Sequence, residues 1–302
     1  MAGLCEGRVV IVTGAGRGIG RAHALAFAAE GARVVVNDLG GSLDGRGDAT
    51  TPAEEVVAEI CAAGGEAAAS FDDIADWEGS RRLVQQAVDT FGSIDTVVNN
   101  AGFVRDRMFV SAGEDEWDAV VRVHMKGHFC VARHAAAWWR DAHKAGRPVA
   151  GRIVNTSSGA GIWGSVGQAA YSAAKAGIAA LTLVQSAELG RYGATANAIA
   201  PIARTRMTEG VFSSMMAQPD GGFDAMAPEN VSPLVVWLGS NAAAAVTGQI
   251  FEVTGGRVTV VEGCHRGPEV DLARRWAPAD LGPAVADLLA RARPAVPVYG
   301  AK

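Results

Sequence analysis

Cysteine is scarce in this chain of 302 residues: Cys5, Cys61, Cys130 and Cys264 are the whole complement, and no two form a C-x-x-C pair. A disulfide framework or thiolate metal site is therefore not expected, and reduced thiols in a cytoplasmic setting fit the pattern. No apolar run reaches about 18 residues, so no membrane-crossing helix is expected. The first residues lack the basic, apolar and small-residue succession of a secretory leader. Positive charge is also in short supply, with 27 Lys and Arg against 32 Asp and Glu and a net charge of −5. That balance gives no general pull toward nucleic acid or an anionic membrane. Aromatic residues make up only 6%, and no internal repeat breaks the chain into copies.

Glycine and small apolar residues are what the chain has in quantity. An apolar content of 49% with 38 glycines suits a buried α/β core joined by tight turns. Arg8 to Thr13, RVVIVT, is a β-branched run of the kind that makes a buried parallel strand. Gly14-Ala-Gly-Arg-Gly-Ile-Gly20 follows, then an Ala-rich helical stretch closed by Gly31, a strand from Arg33 to Asn37, and Asp38. Strand, glycine turn, helix, strand and acid in this order form the βαβ unit that binds dinucleotides. Gly14, Gly18 and Gly20 let backbone approach a pyrophosphate without a Cβ in the way. The helix start at Gly18 and Ile19 offers the phosphates free N–H groups. Asp38 lies at the spacing, roughly 20 residues on, of a carboxylate that takes the ribose hydroxyls. It would repel a 2′-phosphate, so NAD is the expected cofactor. Arg17 leans the other way, because a basic side chain in this turn can meet that phosphate.

The segment from Gly40 to Thr50 reads as a surface insertion, and Thr51-Pro52 as the start of a helix that runs to Gly64. A third strand spans Glu66 to Phe71. Asp73, at its carboxyl end, can accept from an adenine amino group or cap the next helix, Ala75 to Phe91. A fourth strand, Ile94 to Asn99, leads into Asn100-Ala101-Gly102, where an amide and small residues can fix backbone and contact ribose. Arg105-Asp106-Arg107 is either a substrate-side loop or a solvated charge cluster. A helical pattern then extends from Glu114 to Lys144. His124 lies where such a helix passes behind a site, whereas His128 and His134 read as helix-face residues. No carboxylate stands at ligand spacing to them, so no metal is expected. Later strands are expected from Thr195 to Ile199 and from Gly248 to Val253, with a weakly periodic lid from Ala203 to Asp224 between them.

The stretch Gly151 to Lys175 carries the chemistry. It begins as a strand, breaks into a Ser- and Gly-rich loop, and re-enters a helix bearing Tyr171 and Lys175 four residues apart, on one helical face. A phenol titrates at about 10, and a neighbouring ammonium favours the phenolate, so the pair can make a general base. Ser158 can hold a substrate oxygen while Tyr171 moves its proton. Together they suggest interconversion of an alcohol and a carbonyl.

TGAGRGIG at 13–20, NNAG at 99–102, the Ser158 to Tyr171 spacing and YSAAK at 171–175 resemble, in order, the short-chain dehydrogenase/reductase family. The resemblance covers roughly residues 7–255. It implies a doubly wound Rossmann-type α/β fold with seven mostly parallel strands in a single domain, residues 1–256, followed by a C-terminal extension, 257–302. It also implies Tyr171 as acid and base, Lys175 on the nicotinamide ribose, and a homodimer or homotetramer. VVVNDLGG at 34–41, RDRMF at 105–109 and RVHMKGHF at 122–129 resemble the (3R)-hydroxyacyl-CoA dehydrogenase units of type-2 multifunctional β-oxidation enzymes and bacterial steroid-catabolic relatives. NAD-dependent oxidation of a 3-hydroxyacyl-CoA is therefore expected. The alternatives are a 17β-type hydroxysteroid dehydrogenase, or a non-catalytic dinucleotide-binding regulatory protein. Two departures stand out: His124 occupies the family's usual fourth catalytic position, an Asn, and Pro201-Ile202 replaces the usual Pro-Gly. Contacts to the nicotinamide amide are accordingly assigned to Ile202 and to Thr205. The Pro-rich end is expected to be extended, covering its own sheet edge or reaching a neighbouring subunit.

Overall fold

Short β-branched runs make the centre of the molecule, because a strand buried on both faces must be apolar throughout. The computed structural model describes residues 3–40, 51–205, 207, 216–219 and 221–301. Its strands are β1 (Val9–Thr13), β2 (Arg33–Asn37), β3 (Glu66–Ser70), β4 (Thr96–Asn99), β5 (Arg152–Thr156), β6 (Thr195–Pro201), β7 (Ile250–Thr254) and β8 (Arg257–Val260). They lie in the order β3-β2-β1-β4-β5-β6-β7-β8, with every pairing parallel except β7 with β8. The chain reverses direction across the sheet between β1 and β4, the switch point where open α/β sheets place a ligand at the strands' carboxyl ends.

Eight strands replace the expected seven. Gly255-Gly256 makes a two-residue hairpin, with Gly255 at φ +52, and Thr254 pairs with Arg257 across it. The first residues assigned to the extension thus complete the sheet edge. Beyond them lies a helix, Leu281–Arg291, that the sequence reading did not anticipate, and none of its residues is buried.

Alternation along the strands sends Val10 and Val12 to one side and Val9 and Ile11 to the other. On the first side they pack under α1 (Gly18–Ala29), α2 (Thr51–Ala62) and the helix Ser232–Gly239, through Phe27, Ile60 and Leu238. On the second they meet α3 (Trp77–Phe91) and α5 (Gly127–Lys144) through Leu83, Val131 and Trp139, while α4 (Glu114–Val121), which leads into α5, buries Val120 against Phe103 and Ala174. Trp139 is fully enclosed, and its indole donates to Ile94 O at 2.7 Å. The helical pattern from 114 to 144 is interrupted by one π-helical turn, Arg122–Lys126, which rotates His124 inward. His128 and His134, expected on a helix face, are both buried. α6 (Gly159–Trp163) and α7 (Ala169–Leu189) follow β5. The insertion at 41–50 and residues 206, 208–215 and 220 of the expected lid lie outside the described residues.

Candidate active site

A cavity of about 460 Å³ opens at the carboxyl ends of β1, β2, β4 and β5. Gly14, Arg17, Gly18, Ile19, Gly20, Asp38, Asp73, Asn100, Ala101, Gly102, His124, Ser158, Tyr171 and Lys175 all line it, so one space gathers residues dispersed over more than half the sequence.

The glycine turn is shaped by close approach. A Cβ on Gly14, at φ +62, would lie 2.7 Å from Ala101 Cα, and one on Gly20 would lie 2.5 Å from Asn100 Nδ2. Asn100 clamps this turn: its side-chain amide donates to Thr13 O at 3.0 Å and Gly14 O at 3.2 Å. Arg17 precedes α1 and supplies no side-chain cap, and no acid stands in the first turn. The free N–H groups at that helix start therefore face the cavity with their partial positive charge unanswered, a good environment for a pyrophosphate. Asp38 Oδ2 accepts from Gly16 N at 2.8 Å and Oδ1 from Gly40 N at 2.7 Å. Those two amides orient the carboxylate and leave lone pairs for a ribose diol. The cradle and its anchored carboxylate fit an adenine dinucleotide.

Asp73 was open to two readings. Its Oδ1 accepts from Ala75 N at 2.8 Å and its other oxygen pairs with Arg122, while the cap of α3 is Asp76, which accepts from Gly79 N at 2.7 Å. The helix therefore starts at Trp77, two residues later than expected. Asp76 immediately before the helix, with Glu78 in its first turn, is an N-cap signal that sequence reasoning missed. Arg122 also lines the cavity and was missed; the π turn brings it across to Asp73. Ile202 departs most clearly from expectation. Its N–H donates to Val253 O at 2.9 Å as the sheet continues past β6, whereas Thr205, the other residue assigned to the nicotinamide amide, lines the cavity with Pro201, Ala203 and Met207.

Ser158 precedes α6, where its Oγ accepts from Ala160 N at 3.2 Å, and its hydroxyl is near enough to the Tyr171 phenol to favour the ionised form. Lys175, 2% exposed, donates from Nζ to Thr156 O at 2.7 Å, and Ser157 Oγ holds the Lys175 carbonyl at 2.8 Å. Burial pushes the ammonium down to about 7. Its Nζ lies 5.6 Å from the Tyr171 ring centre. The expected depression of Tyr171 is not found: burial raises the phenol, Ser158 partly opposes it, and the Asp106 charge adds to the rise. The loss of water around a phenolate outweighs the ammonium at this distance.

His124 is enclosed and held neutral, with burial pushing it down to about 3 and the Lys175 charge adding to that. Its Nε2 is 2.7 Å from Phe103 O, and its ring stands edge-on to Tyr171 at 5.3 Å. The space it needs explains Gly102, where a Cβ would fall on His124 Cε1. Neither atom group can retreat, so Gly102→Ala is expected to cost about 1–3 kcal/mol by overpacking. Denaturant unfolding of the variant checks this, and an unchanged midpoint overturns it. His128 lies one turn further on with neither ring nitrogen hydrogen-bonded among the described residues. Gln168 is another lining residue that sequence reasoning overlooked, and its amide donates to both oxygens of Asp106 at 3.1 Å. Its place three residues before Tyr171, at the helix start, was the available signal.

The model of the family described as short chain dehydrogenase matches residues 8–215. The chain is 46% identical over 288 residues to hydroxyacyl-CoA dehydrogenase ChsB1 of Mycobacterium tuberculosis, covering 94% of this chain and 89% of that protein. It is 48% identical over 251 residues to peroxisomal multifunctional enzyme type 2 of Mus musculus, covering 83% of this chain but 32% of that longer protein. A crystal structure of a short chain dehydrogenase from Mycobacterium avium superposes with a TM-score of 0.90 at 64% identity, covering 99% of this chain and 100% of that one. With the glycine turn, the Ser158, Tyr171 and Lys175 cluster and these likenesses in agreement, the chain belongs to the short-chain dehydrogenase family.

Proposed function

We propose that this chain is an NAD-dependent oxidoreductase that interconverts the 3-hydroxyl of an acyl-CoA and the corresponding ketone. The observation that carries the reaction type is the convergence of Ser158, Tyr171 and Lys175 on a cavity whose other end is the glycine turn and Asp38. The substrate class follows from the hydroxyacyl-CoA dehydrogenase of M. tuberculosis, which this chain matches over nearly its whole length. NAD is favoured over NADP because Asp38 stands where a 2′-phosphate would lie.

The α1 start holds the pyrophosphate, Asp38 the adenosine ribose and Lys175 the ribose beside the nicotinamide. A bound nicotinamide would supply the hydride acceptor for the carbinol carbon, or the donor in the reverse direction. Ser158 holds the substrate oxygen. Tyr171 takes the hydroxyl proton during oxidation and donates it to the carbonyl oxygen during reduction. His124 positions the Gly102-Phe103 backbone and the edge of Tyr171. A homodimer or homotetramer through α4, α5 and α7 belongs to this reading, and Leu183 and Val184 stand exposed on α7.

The absorbance of reduced nicotinamide, followed with NAD or NADP against 3-hydroxyacyl-CoA esters and hydroxysteroids, tests the reading. NAD reduction with the CoA esters is expected. Activity confined to steroids replaces the substrate class, a strong preference for NADP removes the Asp38 argument, and silence with every pair returns the chain to a binding role.

A further inference from the structure

The last residues return to the active site after a long excursion through solvent. From Glu262 to Val298 almost every residue is exposed or only partly covered, and the helix Leu281–Arg291 contributes nothing to the core. The chain nevertheless ends at one defined place. Val166 N donates to Tyr299 O at 2.9 Å and Tyr299 N donates to Gly164 O at 3.2 Å, forming a parallel bridge between Ser165 and Tyr299. Gly300, at φ +77, then turns the backbone, and Ala301 N closes on Val298 O at 3.1 Å.

Side chains match this backbone fit. The Tyr299 ring covers Gly159 so closely that a Cβ there would lie 2.7 Å from its hydroxyl oxygen and 2.8 Å from Cε2. Val298 covers Gly164, whose Cβ would lie 3.4 Å from Cγ1. Gly159 and Gly164 are the first residue of α6 and the residue just beyond it, so the strap grips both ends of the short helix that Ser158 precedes. The same loop continues through Val166 to Gln168, which lines the cavity immediately before α7 and Tyr171. On the far side Trp163 Nε1 donates to Glu252 Oε1 at 3.3 Å, fixing α6 against β7. A five-residue helix has too few internal bonds to hold its own position; α6 packs on α7, where a Cβ on Gly161 would lie 2.5 Å from the Lys175 carbonyl carbon, and the C-terminal strap and β7 add restraint at its ends and far side.

We infer that the C-terminal strap, Val298–Ala301, is a working part of the active site, positioning the Ser158 hydroxyl and the substrate-side loop 164–168. Tyr299 is its positioning residue, acting through Gly159 and touching neither substrate nor cofactor. The inference rests on the reading of Ser158 as the group that holds the substrate oxygen. The contacts of the strap fall on Gly159, Gly164 and Val166, on the Ser158 side of the site, so it governs the alcohol and leaves the dinucleotide alone.

Deletion of residues 297–302 and the substitutions Tyr299→Ala and Tyr299→Phe, made in the full chain otherwise, provide the test. A displaced Ser158 hydroxyl is expected to lower kcat/KM for the alcohol about tenfold in the deletion and in Tyr299→Ala. NAD affinity, read by titration, stays at the parent value. Tyr299→Phe keeps the ring over Gly159 and restores most of the rate. Parental kcat and KM in the deleted chain overturn the inference, as does an equal loss in Tyr299→Ala and Tyr299→Phe. Weakened NAD binding alongside lost turnover also overturns it, because general loosening then explains the defect. Ser158→Ala separates the two levels: if that variant is inactive while the deletion is silent, only the strap fails, and if it is fully active, the role given to Ser158 fails first.

Discussion

Tyr171→Phe lowers kcat about a thousandfold, within the range by which a positioned acid or base accelerates proton transfer. The ring continues to fill its place beside Phe103 and His124, so the fold and the glycine turn are unaffected. NAD titration should return the parent affinity, and turnover within threefold of the parent would remove Tyr171 from the mechanism. The pH profile carries its own sign. Burial raises the phenol above its ordinary value of 10.0, so near neutrality Tyr171 is protonated and ready to donate. Oxidation requires the phenolate and therefore gains rate as pH rises; reduction requires the phenol and loses rate over the same interval. An oxidation rate that falls with rising pH contradicts the assignment.

Lys175→Met moves activity and stability in opposite directions. Activity falls by roughly a hundredfold or more because the ammonium that favours the phenolate and meets the ribose is gone. Stability rises at low pH. The folded ammonium titrates at about 7 against 10.5 for an unburied lysine, so the unfolded chain binds the extra proton between those values. The burden of burial is thus fully present below pH 7 and is relieved as pH climbs toward 10.5. It amounts to about 5 kcal/mol at 1.36 kcal/mol per pH unit. Thr156 O loses its donor in the variant, which returns about 1–3 kcal/mol of that. The ligand-free variant is expected to be about 2–4 kcal/mol more stable than the parent at pH 6, with the advantage gone by about pH 10. Urea unfolding at both values decides it, and a less stable variant at pH 6 refutes it. The cost is borne because a lysine on this helix must be buried to reach both the phenol and a ribose, an instance of stability exchanged for function.

The same contrast runs through the site. The βαβ unit was legible because each part is local: β-branched residues bury a strand, glycines permit the turn and α1 begins where the glycines end. Tyr171 and Lys175 were legible because helical spacing alone puts them on one face. Asp76 was overlooked because caps rank below periodicity as a signal, and β8 because a Gly-Gly hairpin after the last expected strand was read as the start of a tail. The partner of the Ile202 amide was not legible, because adjacency in sequence to Pro201 does not say which way a strand end leaves the sheet. That amide went to Val253.

Local sequence by itself determined the parallel strands, the glycine turn, the acid after β2 and the Tyr171-Lys175 face, since each depends on sterics and periodicity within a dozen residues. Tertiary structure alone decided the charge states and the long-range contacts. The rise of Tyr171 and the fall of Lys175 come from desolvation, which no spacing encodes. The His124 ring against Gly102, Arg122 beside Asp73, and Tyr299 over Gly159 join residues tens to more than a hundred positions apart. Their meeting depends on how the helices pack against the sheet and on the path of the tail, and those are properties of the assembled core.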